Sequence, residues 1–256
     1  MSQTEEQFLK SYDASQYARP SVTVDMVIFT ITETGSLALL LIRRGTHPYK
    51  DCWALPGGFL TAGVESAEEA AVRELREETG VEHAYLRQLY TFSSPNRDPR
   101  THVISIAYTA LVPKISLRIC AGDDAKDARL FTIIEDGGLL RFQSDLYSIS
   151  EEDLAFDHRK IIQIAIQRLR NRISYELDAF ALLADTKAFT IFELKQIFEI
   201  ILSKSLDTSN FRKLFLKNYV GPGIVQKTGE YRTVRGRKPA ALFKLITERC
   251  EGYEGF

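Results

Sequence analysis

Cysteine is scarce in this sequence: Cys52, Cys120 and Cys250 lie far apart, are odd in number and share no metal-ligand spacing. That pattern excludes a disulfide framework and a thiolate-built metal site, and it makes a reducing cytosol the expected compartment. Long apolar runs are missing too, since no stretch approaches the roughly 20 residues a membrane-spanning helix needs. Met1 to Ser15 is polar and has no apolar core segment, so no secretory signal is expected there. Internal repeats and low-complexity tracts are absent. Neither charge sign prevails, with 33 Lys+Arg against 34 Asp+Glu and a formal net charge of -1, so the global balance asks for neither a nucleic acid nor a membrane. What is present is ordinary: 256 residues, 45% hydrophobic and 26% charged, enough for one large domain or a medium one plus a small one.

The balanced average conceals an asymmetry. Between Ser205 and Arg249 ten basic residues (Arg212, Lys213, Lys217, Lys227, Arg232, Arg235, Arg237, Lys238, Lys244, Arg249) face three acids (Asp207, Glu230, Glu248), a surplus of seven in 45 residues. A local basic block asks for an anionic partner. Without an accompanying fold motif it would describe a solvated charged face equally well.

Periodicity makes the first part of the chain α+β. Thr23–Thr32 and Leu37–Arg43 are β-rich runs joined by Glu33-Thr34-Gly35-Ser36, a hairpin turn. Tyr85–Phe92, Val103–Val112 and Ala128–Ile133 are further strands. Between them a helix is predicted over Ala67–Thr79, with Ser66 as N-cap, Glu69 completing a capping box, and Gly80 in the left-handed C-terminal position. Residues 18–155 form this domain. A helix over Phe156–Ile173, with Ile161, Ile162, Ala165, Leu169 and Ile173 close to one face, serves as the connection over 156–185. In 186–256, Thr190 and Glu193 form a second capping box and Phe189 with Leu194 a hydrophobic staple, opening a helix to about Ser203. A second helix starts near Asp207 with Phe211, Leu214 and Phe215 inward, followed by Ile224–Lys227, a turn around Gly229 and a strand over Ala240–Leu245. Helix, turn, helix and hairpin is the layout of a winged helix-turn-helix.

The most specific chemistry lies in Arg73-Glu74-Leu75-Arg76-Glu77-Glu78-Thr79-Gly80-Val81. On a helix Glu74, Glu77 and Glu78 emerge on one face, and three like charges there destabilise each other unless a cation sits among them. Hard divalent ions need few protein carboxylates when phosphates complete the shell. Taken alone, the same helix is a solvated acidic one with incidental ion pairs. Glu65 and Arg73, eight residues apart, are placed to brace the preceding loop against the helix.

With Gly57-Gly58 before the loop and Gly80 after the helix, these residues resemble the Nudix signature: a Gly, a Glu, then Arg-Glu-aliphatic-x-Glu-Glu-x-Gly-aliphatic. The resemblance implies a Nudix α/β/α sandwich on a mixed sheet. It implies Glu74, Glu77 and Glu78 as ligands of Mg²⁺ or Mn²⁺, with Glu77 or Glu78 orienting a water for attack. The loop Phe59–Val64 has six residues between Gly58 and Glu65 where the family has five, which leaves the closure of the loop open. Many Nudix enzymes use a further acid outside the box as base; Asp123, Asp124 and Glu135 are candidates among which the sequence does not choose.

Arg97-Asp98-Pro99-Arg100 lies between two predicted strands, either as a clamp for phosphate and ribose or as an ordinary polar turn. Arg43 and Arg44 close a strand and either contact the ligand or cap the sheet, and Trp53 either stacks on a base or belongs to the core. Together with Gly58, these elements resemble the ADP-ribose-handling branch of the Nudix family. In the basic domain, Asn210, Arg212, Lys213 and Lys217 project away from the buried face of their helix, as a helix in a major groove would require. Arg232, Arg235, Arg237 and Lys238 fall in the wing, suited to phosphates or a minor groove. A winged helix also serves some proteins as a protein-interaction module.

Leu154-Ala155-Phe156-Asp157-His158, Phe189-Thr190, Ser209-Asn210-Phe211-Arg212 and Arg235-Gly236-Arg237-Lys238-Pro239, following a Nudix box, are similar to the Nudix-related transcription regulators, of which the NrtR repressors of NAD metabolism are one branch. The resemblance runs from about Arg19 to Leu245. It implies a bacterial homodimer whose Nudix domain senses ADP-ribose or a related nucleotide and releases operator DNA of NAD or sugar metabolism genes. His158 reads as structural. The rival is a Mg-dependent ADP-ribose pyrophosphatase giving AMP and ribose 5-phosphate, because all three box carboxylates are retained.

Overall fold

The computed structural model describes residues 4–81, 84–119, 125–233 and 238–246. A short capped helix α1 (Glu5–Ser11) precedes strand β1 (Ser21–Ile31), which organises the first domain. From Val24 to Thr30 every residue of β1 is buried, as a strand covered on both faces requires. β2 (Leu37–Arg44) returns by the expected hairpin, followed by the short β3 (Trp53–Ala54) and β4 (Gly57–Phe59). Helix α2 (Ala67–Thr79) begins at Ser66, whose side chain accepts from Glu69 N–H while the Glu69 carboxylate accepts from Ser66 N–H, and it ends at Gly80 with φ 66°. The remaining strands are β5 (Tyr85–Phe92), β6 (Val103–Leu111), β7 (Ala125–Asp136), β8 (Leu139–Gln143) and β9 (Ser148–Ser150).

Among the described residues the sheet runs β5-β6-β1-β2-β7-β8-β9, with β3 attached to β2 and β4 to β1. Only β1 and β6 pair in parallel within it, so the sheet is mixed. Alternation along β1 divides the core. Val24, Met26 and Ile28 pack on Ala70, Ala71 and Leu75 of α2. Val27 and Phe29 point the other way, with Leu39 and Leu41, toward Ile161, Ile162, Ala165 and Leu169 of α3 (His158–Arg172). Full burial of each Val, Leu, Ile, Met or Phe among them contributes about 1.5–3 kcal/mol. The connecting helix is therefore also the second helical layer of the sandwich, a role its apolar stripe alone did not reveal.

The second domain follows a short 3-10 turn (Asp178–Leu182). It contains α4 (Ile191–Leu202), α5 (Thr208–Phe215) continued by a π-helical turn (Leu216–Val220), and a wing of β10 (Val225–Arg232) and β11 (Ala240–Leu245). Its core is aromatic, built on Phe180, Phe189, Phe198, Phe211, Phe215, Tyr219 and Phe243. Phe189 and Phe243 exchange backbone hydrogen bonds, which ties the start of α4 to the wing. One expectation fails here: Leu214 is 54% exposed. The buried ridge of this helix is Phe211, Phe215 and Tyr219 at four-residue steps, and Leu214 falls beside it.

Side chains fasten the connecting segment to the sheet and to the second domain. Tyr85 Oη donates to Asp178 Oδ1 at 2.6 Å, and Arg87 pairs with Glu176 at 3.0 Å. Arg170, in the last turn of α3, pairs with Glu135 on β7 and donates to Ile201 O (2.8 Å) and Ser203 Oγ (3.0 Å) at the end of α4. No helix among the described residues is long and apolar enough to cross a membrane.

Candidate functional site

Ala70, Ala71 and Leu75, packed on β1, set the rotation of α2, and that rotation decides where its carboxylates fall. Glu74 and Glu78 are buried on the sheet side, while Glu77 is exposed. Glu74 rests against the backbone of β4 so closely that a Cβ on Gly58 would lie 2.2 Å from its Oε1. Burial pushes the Glu74 carboxyl above the usual carboxylate range, against the opposing pull of Arg73. Arg73 is the hub of the loop. It grips Glu65 through two bonds (3.0 and 3.1 Å) and reaches Glu74 (2.8 Å) and Glu77 (3.3 Å). Glu65, held by Arg73 and by Thr61 N–H, has its carboxyl lowered to about 2. The extra loop residue is absorbed in a turn: Val64 N–H donates to Thr61 O, and Gly63 takes φ 77°. Glu65 thereby meets Arg73 despite the longer loop.

The arginine loop lies beside this strand. Arg100 chelates Asp98 (2.7 and 3.0 Å) and sits over the Phe59 ring, 5.3 Å from its centroid. Arg97 is buried and already engaged, by Asp25 at 3.0 Å and by both oxygens of Asp157 at 2.7 and 3.2 Å. Arg44 donates to Pro48 O and covers the Phe156 ring at 5.0 Å, and Arg43 donates to Asp51 O. Trp53 does not face a ligand: it is 4% exposed and packs edge-on against Phe131 and Tyr147 in the core. Glu135 sits at the far end of β7, past the register of the β1–β2 turn and paired with Arg170, so it is not near the box. Asp123 and Asp124 lie outside the described residues.

Asp25, Asp157 and His158 were missed as a group. Asp25 is the register partner of Gly57 and is buried in an apolar strand, where an isolated carboxylate is itself a signal. Burial alone would raise its carboxyl, but His158, Arg97 and Ser105 together hold it at about 2.

On the second domain Asn210, Arg212, Lys213 and Lys217 are exposed along α5 and its extension, as is Lys238 between the two wing strands. Arg235 and Arg237 lie outside the described residues. Arg232 is engaged within the domain: Glu193 holds it at 2.6 Å and Ala188 O accepts from it, fastening the wing to the start of α4.

A box-bearing helix on a mixed sheet, followed by a winged helix with an exposed basic face, defines the class: a Nudix-fold domain joined to a winged-helix domain. Residues 20–148 match the NUDIX domain, and residues 179–245 match the NrtR DNA-binding winged helix domain. The chain is 32% identical over 249 residues, 96% of its length and 90% of the relative's, to the ADPR responsive transcriptional repressor NtrR of Acinetobacter baylyi. It is 43% identical over 147 residues, 57% of its length and 73% of the relative's, to the ADP-ribose pyrophosphatase of Methanocaldococcus jannaschii. Shewanella oneidensis NrtR complexed with a 27mer DNA superposes with a TM-score of 0.68 at 30% identity, covering 90% of this chain and 95% of that one. The NUDIX domain of the same protein complexed with ADP ribose gives 0.51 at 31%, covering 65% and 99%. The chain belongs to the NrtR family of Nudix transcriptional repressors.

Nudix proteins generally use divalent metal ions. Among the described residues no three carboxylate, imidazole or thiol groups converge as a ready metal cluster. Glu74 and Glu77 instead share Arg73. The donors are hard oxygens, which would fit an ion that draws the rest of its shell from phosphate.

Proposed function

We propose that this chain is a cytoplasmic, homodimeric repressor whose Nudix domain takes ADP-ribose with Mg²⁺ or Mn²⁺ and whose winged helix then lets go of its operator. One observation carries the reading: the exposed row Asn210, Arg212, Lys213 and Lys217 stands on a winged helix that α3 and a short turn join to a domain with all three box carboxylates. The relatives that cover nearly the whole chain are an ADPR responsive repressor and an NrtR complexed with DNA, which supports both halves of the proposal.

Glu74, Glu77 and Glu78 would hold the metal, which neutralises a bound diphosphate. Arg100 and Asp98, beside Phe59, would take the ribose and phosphate end, and Arg43, Arg44 and Arg97, drawn from their present partners, the remainder, with Gly58 bounding the ligand next to Glu74. Lys and Arg of α5 then act on phosphates and base edges. The genes controlled are those of NAD or sugar metabolism. The test uses the full chain, immobilised and offered sheared genomic DNA of its source. Fragments retained at moderate salt should be eluted by ADP-ribose with Mg²⁺ and not by ribose 5-phosphate. Retention of no fragment above the nonspecific background contradicts the proposal.

A second reading has its own support: Glu74, Glu77 and Glu78 are all present, and the archaeal relative is an ADP-ribose pyrophosphatase. Hydrolysis to AMP and ribose 5-phosphate is then a further property of the same site. Glu78→Gln should abolish any such hydrolysis and spare DNA binding. Hydrolysis at the parent rate would show that the carboxylate face is misassigned.

A further inference from the structure

Asp157 and His158 stand outside the box, yet three sets of contacts tie them to it. Leu55 N–H donates to His158 Nδ1 at 2.8 Å, and Ala155 N–H donates to Trp53 O at 2.8 Å. The segment they hold runs straight into Gly57 and Gly58, against which Glu74 rests. Asp25, the partner of Gly57, faces His158 Nε2 at 3.5 Å and accepts from Arg97 and Ser105. Arg97 closes the circuit with its two bonds to Asp157. Buried groups packed at this density pass a displacement on instead of absorbing it.

The joint is also strained. Phe156 has φ 53°, in the left-handed region that non-glycine residues avoid. Such a backbone costs about 1–3 kcal/mol and persists only where its surroundings hold it. Here Tyr49 (ring centroids 4.7 Å apart), His158 (5.3 Å) and the Arg44 guanidinium (5.0 Å) cover the Phe156 ring. Arg44 and Arg97, two of the arginines assigned above to the ligand, thus hold the two residues that lead into α3. At the other end of α3, Arg170 holds Ile201 O and Ser203 Oγ of the winged domain. A helix of 15 residues is about 22 Å long, so a tilt of about 10° moves its far end by about 4 Å.

We propose that Asp157 and His158 are positioning residues that transmit occupancy of the Nudix box to the winged helix. A ligand that draws Arg97 or Arg44 toward its phosphates loosens Asp157 and Phe156, shifts the first turn of α3, and moves the DNA-binding domain through Arg170. This rests on the repressor reading above and adds the route by which the two sites communicate.

The test uses the full chain with ADP-ribose and Mg²⁺, and compares the parent with Asp157→Asn and with His158→Asn, which retains an acceptor for Leu55 N–H. In the parent without DNA, ligand shown by calorimetry to be bound should change amide hydrogen exchange over residues 155–162 by about tenfold or more. Both variants should bind ADP-ribose and DNA within about threefold of the parent, yet lose most of the ratio between DNA affinities without and with ligand. Unchanged exchange over 155–162 in the liganded parent overturns the joint, whatever the DNA does. Variants that keep the full ratio overturn it as well. A parent whose exchange responds while its DNA affinity does not would support the joint and contradict the repressor reading.

Discussion

Gly57 and Gly58 are adjacent, yet a methyl group should fail at each for a different reason. At Gly57 an added Cβ would lie 2.2 Å from Val24 O and 3.0 Å from Asp25 Cα, both backbone atoms of β1, and the φ of +154° is one that L residues rarely adopt. β1 lies between β6 and β2 and cannot withdraw. Backbone strain of about 1–3 kcal/mol adds to overpacking of about 1–3 kcal/mol, so Gly57→Ala should cost about 4 kcal/mol. At roughly 2–4 °C per kcal/mol for a chain of this size, the Tm should fall by about 10 °C. At Gly58 the obstacle is Glu74 Oε1, also at 2.2 Å, which is the end of a rotatable side chain. Gly58→Ala should therefore cost only about 1 kcal/mol of stability. The displaced carboxylate, however, leaves its place in the box and its 2.8 Å pair with Arg73. Urea unfolding reads the first effect, and calorimetric titration with ADP-ribose in the presence of Mn²⁺ reads the second. Gly57→Ala should be unstable, and Gly58→Ala folded with affinity weakened by about tenfold, the equivalent of 1.4 kcal/mol. Equal stability losses, or a Gly58→Ala variant with parental affinity, would refute the geometry.

Three further outcomes are expected. Tyr85→Phe removes the 2.6 Å donor from buried Asp178 and should cost about 1–3 kcal/mol in urea unfolding; a double-mutant cycle with Asp178→Asn that proves purely additive would deny the contact. Asp25, held at about 2 by His158, Arg97 and Ser105 against the effect of burial, lies below the ordinary Asp value of about 3.9. A depressed carboxyl contributes stability that is present above pH of about 4 and is lost as pH falls toward 2. Asp25→Asn should flatten the stability–pH curve in that window by about 2 kcal/mol, and a curve with parental slope would contradict the assignment. Lys213→Ala, on the exposed face of α5, should reduce the slope of log K against log salt for DNA by about one unit; an unchanged slope would remove Lys213 from the interface.

Helix α2 was legible to the residue because Ser66, Glu69 and Gly80 each supply a separate punctuation signal. β1, β2, β5 and β6 were legible as apolar or alternating runs between turn residues. The short β3, β4 and β9 are too brief to show a period, and α3 announced an apolar stripe without saying which surface it would cover. Leu214 was misplaced because helical spacing admits several stripes and only packing against α4 selects one. The box carboxylates were legible because their spacing is local. The Asp25 cluster was not, since Arg97 and Ser105 lie 72 and 80 residues away from it and only the fold brings them together. The pairing of Arg232 was hidden for the same reason: its partner Glu193 is 39 residues upstream.

Occupancy of the Nudix domain by ligand should govern DNA binding by the winged helix. Fluorescence anisotropy of a labelled duplex from the genomic fragments the protein retains, titrated with full-length protein at fixed salt with and without ADP-ribose and Mg²⁺, tests it most directly. Binding should be tight and salt-dependent and be weakened by ADP-ribose at least about fivefold, with a matching weakening of ADP-ribose affinity when the duplex is present. Equal DNA affinity with and without ADP-ribose, at ligand concentrations that saturate the Nudix domain, would contradict it.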